Sequence, residues 1–286
     1  MPEPAARQLI DVEGAQGLPA EGARRGLPAR FERFVAIGDS QTEGVGDLPN
    51  HDGTDRGWAD RFAAALAARD PGLLYANFAI RGRRVAQVFE EQFEPALAME
   101  PDLVSVIAGM NDLIRPGFDL DRTISIMDGM ERAFVDSGAT VVTITYPDPD
   151  GLGPIGSLVE GKVREFNQAI RETAAANGTV LLDLEPIEST ADIRIWQPDR
   201  LHLNPEGHWR MAHGMLSVVA PELADPGWTA TLPPQPPESR AKRVKDEAEW
   251  AFRYLLPWVG RRLTGRSSGD GRSPKRPEYG PPPADA

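Results

Sequence analysis

The sequence contains no cysteine. That absence removes disulfides, thiolate metal sites and a cysteine nucleophile together. It does not fix the compartment. Histidine is nearly as scarce: His51, His202, His208 and His213 are the only four imidazoles in 286 residues. No apolar run is long enough to span a bilayer, and residues 1–30, rich in Ala, Gly, Pro and charge, lack a signal-peptide core. A cytoplasmic location is the simplest expectation. Positive charge is in deficit, with 31 Lys/Arg against 43 Asp/Glu and a net charge of −12. From Ser239 onward there are eleven Lys/Arg and six Asp/Glu, a net +5 that leaves −17 for the remainder. An acidic body of that kind repels phosphates and argues against DNA or RNA as a partner.

Hydrophobic residues are 41% of the chain, enough for a sizeable core. Heavy use of Ala, Gly, Pro and Arg is compatible with a GC-rich bacterial genome. Residues 1–30 read as a flexible leader. Strand-like apolar runs then alternate with helical patterns over 31–225. The runs are Phe34–Ile37, Leu73–Phe78, Leu103–Ala108, Thr140–Tyr146 and Thr179–Leu184. Such alternation predicts an α/β fold of three layers, α/β/α, on a five-stranded parallel sheet in the flavodoxin-like order 2-1-3-4-5. Asn204 and Pro205 mark the start of a last helix. Residues 226–244 are proline-rich and read as a linker. Residues 245–263 read as a basic amphipathic helix with Trp250 and Trp258, expected to lie on a membrane surface, on a partner protein or back on the main domain. Residues 264–286 are expected to be disordered.

In open α/β sheets, ligands bind beyond the carboxyl ends of the strands. Four chemistry-bearing segments fall there. The first is Gly38-Asp39-Ser40, where an apolar strand ends in a sharp turn that exposes a hydroxyl. A serine needs a base within hydrogen-bond reach to act as a nucleophile. His202 has Asp199 three residues before it, on a turn leading into a helix. Asp199 can then hold the Nδ1–H and leave Nε2 to take the Ser40 proton. An oxyanion would need donors, and the Ser40 N–H, the Gly82 N–H and the Asn111 side chain are placed to supply them. Each has a plainer reading alone: a surface Asp–His pair capping a helix, an ordinary turn glycine, a strand-end Asn-Asp turn.

Together these blocks resemble the SGNH hydrolases, the GDSL esterase/lipase family. Gly38-Asp39-Ser40 matches the first block, Gly82 the second, Gly109-Met110-Asn111-Asp112 the third and Asp199-Arg200-Leu201-His202 the fourth. They stand in the family's order over about residues 31–220. The departure is Gln41, where leucine often stands, a position expected to matter little. The resemblance implies a serine ester hydrolase with Ser40, His202 and Asp199 as triad and Ser40, Gly82 and Asn111 as oxyanion hole. It needs no cofactor and no metal. The implied substrate is a small-molecule acyl ester, of a carbohydrate or another small alcohol. A lysophospholipase or thioesterase, and a non-catalytic binding module on the same fold, are the alternatives.

Other motifs are weaker. Gly151–Gly156 fits G-x-G-x-x-G but is separated from its strand by Pro147-Asp148-Pro149-Asp150. Gly265-Arg266-Ser267-Ser268-Gly269 fits a nucleophile elbow with no strand before it. Asp47, Asp52 and Asp55 lack calcium-loop spacing and read as a solvated loop.

Overall fold

The computed structural model describes residues 27–149, 154–236, 239–257, 260 and 267–283. Residues 1–26 of the leader, residues 151–153 of the Gly151–Gly156 motif, Trp258, and Gly265 and Arg266 of the second motif lie outside the described residues.

Five parallel strands form the centre: β1 (Arg33–Gly38), β2 (Leu74–Asn77), β3 (Leu103–Ile107), β4 (Thr140–Ile144) and β5 (Val180–Leu182). A sixth, β6 (Arg276–Gly280), pairs antiparallel with β2. The order is β5-β4-β3-β1-β2-β6, which contains the expected 2-1-3-4-5 arrangement and extends it at one edge. The intervening helices are α1 (Ser40–Glu43), α2 (Gly57–Arg69), α3 (Val85–Val88), α4 (Glu94–Ala98), α5 (Met110–Leu113), α6 (Leu120–Asp136), α7 (Pro154–Asn177), α8 (Pro205–Val219) and α9 (Arg240–Trp250). A π turn, Phe89–Phe93, joins α3 to α4.

The two-residue period of a strand explains the layers. In β1, Phe34 and Ala36 face one core with Trp58, Phe62, Tyr75 and Met215, beneath α2 and α8. Val35 and Ile37 face a second core with Val88, Val104, Met130 and Phe134, beneath α3 and α6. Both faces of β1 are buried, so the run is apolar without alternation. Strand direction reverses its filling order at β1, between β2 and β3. That puts a crevice at the carboxyl ends of β1 and β3.

Three expectations shift in the C-terminal part. The segment 264–286 was expected to be disordered, yet it carries β6, held to the sheet by Tyr75↔Gly280 and Asn77↔Arg276 register. Lys275 explains the anchorage. Its ammonium lies 2.9 Å from the Asp60 carboxylate, with both side chains buried. It also donates to the carbonyls of Asp55 and Arg56. The linker 226–244 is likewise not free along its length. Trp228 is buried, and Arg210 on α8 donates to the carbonyls of Trp228 and Ala230. The last helix starts at Arg240, with the Ser239 hydroxyl capping the Lys242 N–H, rather than at Lys245.

Candidate active site

Local chemistry places the serine. At Gly38 an added Cβ would lie 2.2 Å from the Ile107 carbonyl oxygen, so only glycine lets β1 leave the sheet this close to β3. The peptide on both sides of Gly38 is pinned by one buried side chain. Gln92, in the π turn, accepts from the Gly38 N–H at 2.8 Å and donates to its carbonyl at 2.9 Å. Asp39 then caps α1 by accepting from the Gln41 N–H. Ser40 is therefore the first residue of α1, and it is 8% exposed.

The candidate base, His202, stands on the turn between β5 and α8. The Nδ1 of His202 lies 2.6 Å from Oδ2 of Asp199. The other carboxylate oxygen of Asp199 accepts from the backbone N–H of Leu201 and of His202. Burial alone would raise the Asp199 carboxyl. The His202 hydrogen bond and charge, with the two backbone donors, outweigh it and hold the group below the usual carboxylate range. An ionised Asp199 fixes the proton on Nδ1 and turns Nε2 into the free acceptor of the ring.

The proposed oxyanion donors come from two loops that are tied to each other. Asn111 Nδ2 donates to the buried Asp39 at 3.0 Å, which spans β1 and β3. Asp112 accepts from the Val85 N–H, joining the Asn111 loop to the loop after β2. Glu43 reaches that same loop from the far end of α1. It accepts from the Arg81 N–H at 2.5 Å and from the Arg81 side chain. Gly82 has φ +77, and an added Cβ would overlap the Ser267 hydroxyl. Its N–H thus sits one residue beyond an amide already fixed by Glu43.

Ser40, Gly82, Asn111, Asp199 and His202 all line one cavity of about 480 Å³. The other three histidines stand apart from it in role. The buried His208 accepts from the Trp58 N–H and bonds the Val45 carbonyl, and burial pushes its pKa down to about 4. His213 accepts from the Asp225 N–H. His51 is exposed in the loop after α1.

Four positioning residues escaped the sequence reading. Asp39 carried a cap signal that was legible. Gln92 is a polar residue amid apolar helical spacing, a pattern that often means a buried hydrogen bond. Glu43 gave no signal of its own. Gln41 was expected to matter little, but its amide donates to the Leu201 carbonyl at 2.6 Å and accepts from Leu203 at 3.5 Å. It therefore links the serine-bearing helix to the histidine-bearing turn.

The acidic loop does not gather into a metal site. Asp47 pairs with Arg61, Asp52 accepts from Thr54, and Asp55 accepts from Arg81. Among the described residues no cluster of three or more His, Asp or Glu side chains could hold a metal ion. No helix among them is long and apolar enough to cross a membrane.

Two solved structures share the fold. LAE5, an alpha/beta hydrolase enzyme from the metagenome of Lake Arreo, Spain, aligns with TM-score 0.57 and 19% identity over 67% of this chain and 96% of its own. Axe2, an acetylxylan esterase from Geobacillus stearothermophilus, aligns with TM-score 0.57 and 18% identity over 68% of this chain and 97% of its own. No curated protein matches the sequence. The profile of the GDSL-like Lipase/Acylhydrolase family matches residues 36–210, from the middle of β1 into α8, and spans all four blocks. The chain is a member of the GDSL-like Lipase/Acylhydrolase family, a carboxylic ester hydrolase of the SGNH type.

Proposed function

We propose that the protein cleaves small-molecule acyl esters with Ser40 as nucleophile, His202 as general base and acid, and Asp199 as the group that orients His202. The observation that carries this reading is the 2.6 Å Nδ1–Oδ2 contact between His202 and Asp199 on the wall of the cavity that Ser40 also lines.

In the reaction, the Ser40 Oγ attacks the acyl carbonyl carbon while His202 Nε2 takes the hydroxyl proton. Charge moves onto the carbonyl oxygen, where the Ser40 and Gly82 N–H groups and the Asn111 amide meet it. The bond from Asn111 Nδ2 to Asp39 holds the amide beside the serine-bearing turn. Collapse of the tetrahedral intermediate breaks the ester C–O bond, and the imidazolium returns its proton to the leaving alcohol. Water then attacks the acyl-serine with His202 again as base. The carboxylic acid leaves and Ser40 is restored.

Of the substrates the sequence left open, the lining favours an ester with an apolar portion over a bare acetylated sugar. Ile144, Trp196, Met211 and Trp228 all face the cavity. The test is hydrolysis of p-nitrophenyl esters by wild type and Ser40→Ala, both shown to be folded. Turnover abolished by Ser40→Ala supports the reading. Turnover that survives it, or no turnover by wild type, overturns it in favour of a binding module on this fold.

A further inference from the structure

The family profile ends at residue 210. The LAE5 and Axe2 structures are covered almost completely by about two-thirds of this chain. The segment from Ser239 onward lies outside the profile match, and it returns to the cavity that Ser40 lines. Its described parts are fastened there at three places. Glu247 on α9 holds the Arg200 guanidinium through two hydrogen bonds, of 2.9 and 2.7 Å. That guanidinium also stacks over the Trp250 ring, 4.5 Å from its centroid. Arg200 lies between Asp199 and His202, in the left-handed region at φ +60. The Ser267–Gly269 turn presses on the next loop: Ser267 fills the space where a Cβ on Gly82 would lie, and Gly269 sits against the Arg81 carbonyl. Lys275 and β6 make the third anchorage, on Asp60 and β2.

With those anchors in place, Trp250, Tyr254 and Leu255 line the same cavity as the triad. The indole Nε1 of Trp250 is buried and finds no hydrogen-bond partner among the described residues. A cavity of about 480 Å³ is in the ~300–1,000 Å³ range of sites that enclose a drug-sized ligand. An acetyl group and a small alcohol would leave most of this one unfilled.

We propose that Trp250, Tyr254 and Leu255 are specificity-determining residues of the ester site, and that they select esters bearing an apolar group of several carbons. The inference rests on the reading of Ser40 as the ester nucleophile. Arg200 is the positioning residue that fastens this wall to the Asp199–His202 turn. The wall is a part of the substrate site that the family core does not contain.

The experiment compares kcat/KM for p-nitrophenyl acetate, butyrate and octanoate in wild type, Trp250→Ala, Tyr254→Ala, Leu255→Trp and Ser40→Ala. Circular dichroism and thermal unfolding establish that each is folded. Leu255→Trp adds volume and leaves the Glu247–Arg200 contact in place, so it remains informative if Trp250→Ala does not fold. Wild type is expected to favour octanoate over acetate, and each wall variant to lower that ratio by about tenfold, the usual effect of altering an apolar pocket by a few carbons. Ser40-dependent hydrolysis with the ratio unchanged in all folded wall variants overturns the specificity wall alone. So does a wild type that favours acetate. Hydrolysis that survives Ser40→Ala overturns the ester-site reading beneath it.

Discussion

Asn111 donates its side-chain N–H to the carboxylate of Asp39 at 3.0 Å, inside the fold and next to the serine. The bond orients an amide on α5, after β3, with the carboxylate that caps α1, after β1. Burial raises the Asp39 pKa to about 6, the hydrogen bonds from Gln41 and Asn111 opposing that rise. Asn111→Ala is expected to lower kcat by about 10²–10³-fold, as loss of one oxyanion donor does, with a small change in KM. Single-turnover kinetics on a p-nitrophenyl ester would show it. An unchanged kcat would remove Asn111 from the oxyanion hole.

The same carboxylate adds to the acid limb of the pH profile. Asp39 is an ionic acceptor above about pH 6 and loses that charge as pH falls through it. On the proposed mechanism its negative charge favours the imidazolium that His202 would become in the transition state, so protonation is expected to lower the rate. Asp39→Asn is expected to give a lower plateau and a shallower fall of kcat/KM below pH 6. Superimposable acid limbs would count against this role.

Gln41 provides a sharper test because leucine is the commoner family residue there. Gln41→Leu breaks the 2.6 Å bond to the Leu201 carbonyl. A stability loss of about 1 kcal/mol is expected, with kcat falling more than KM rises, because the serine helix and the histidine turn lose their direct tie. Equal kcat in the two proteins would show that the tie is structural only.

Glu131 gives a prediction about stability with no bearing on the site. It is buried on α6 and accepts from the Thr179 hydroxyl. Burial pushes its pKa from 4.5 to about 7. Because the folded value lies above the unfolded one, its contribution is full below about pH 4.5 and is lost as pH rises through about 7. Glu131→Gln should therefore be more stable than wild type at pH 8, by an amount on the order of 3 kcal/mol. The advantage should shrink towards pH 4. Urea unfolding at both pH values measures it, and parallel curves would contradict the assignment.

Lys275→Met tests the anchorage of the C-terminal segment. Among the described residues it leaves the buried Asp60 with Asn50 and Tyr75 as side-chain hydrogen-bond donors. A loss of about 3 kcal/mol is expected, the usual effect of breaking a buried pair on one side. Limited proteolysis should then cut after Ser239 before it cuts the family core. A digestion pattern identical to wild type would mean that β6 holds without the ion pair.

The central strands were legible because β1, β3 and β4 are buried on both faces and read as largely apolar runs ended by turn residues. The site residues were legible because their spacing relative to those strand ends carries the chemistry. β6 was not legible for a physical reason. Arg276-Pro277-Glu278-Tyr279-Gly280 is charged, contains proline and suits an edge strand, and such a sequence looks like disorder until its partner is known. Gln92 and Gln41 were missed likewise. Their partners, Gly38 and Leu201, lie 54 and 160 residues away, and nothing local announces them.

The pairing of Tyr75 with Gly280 joins points separated by roughly two hundred residues. Contacts of that span form late, after loop closure has been overcome, and they form last of all on a chain emerging from a ribosome. The residues that wall and brace the cavity from α9 and β6 follow Ser40, Asp199 and His202 along the chain. On the proposed reading, the hydrolase core has Ser40, Asp199 and His202 in hand before its pocket is closed, and selectivity follows when the segment from Ser239 onward docks on it.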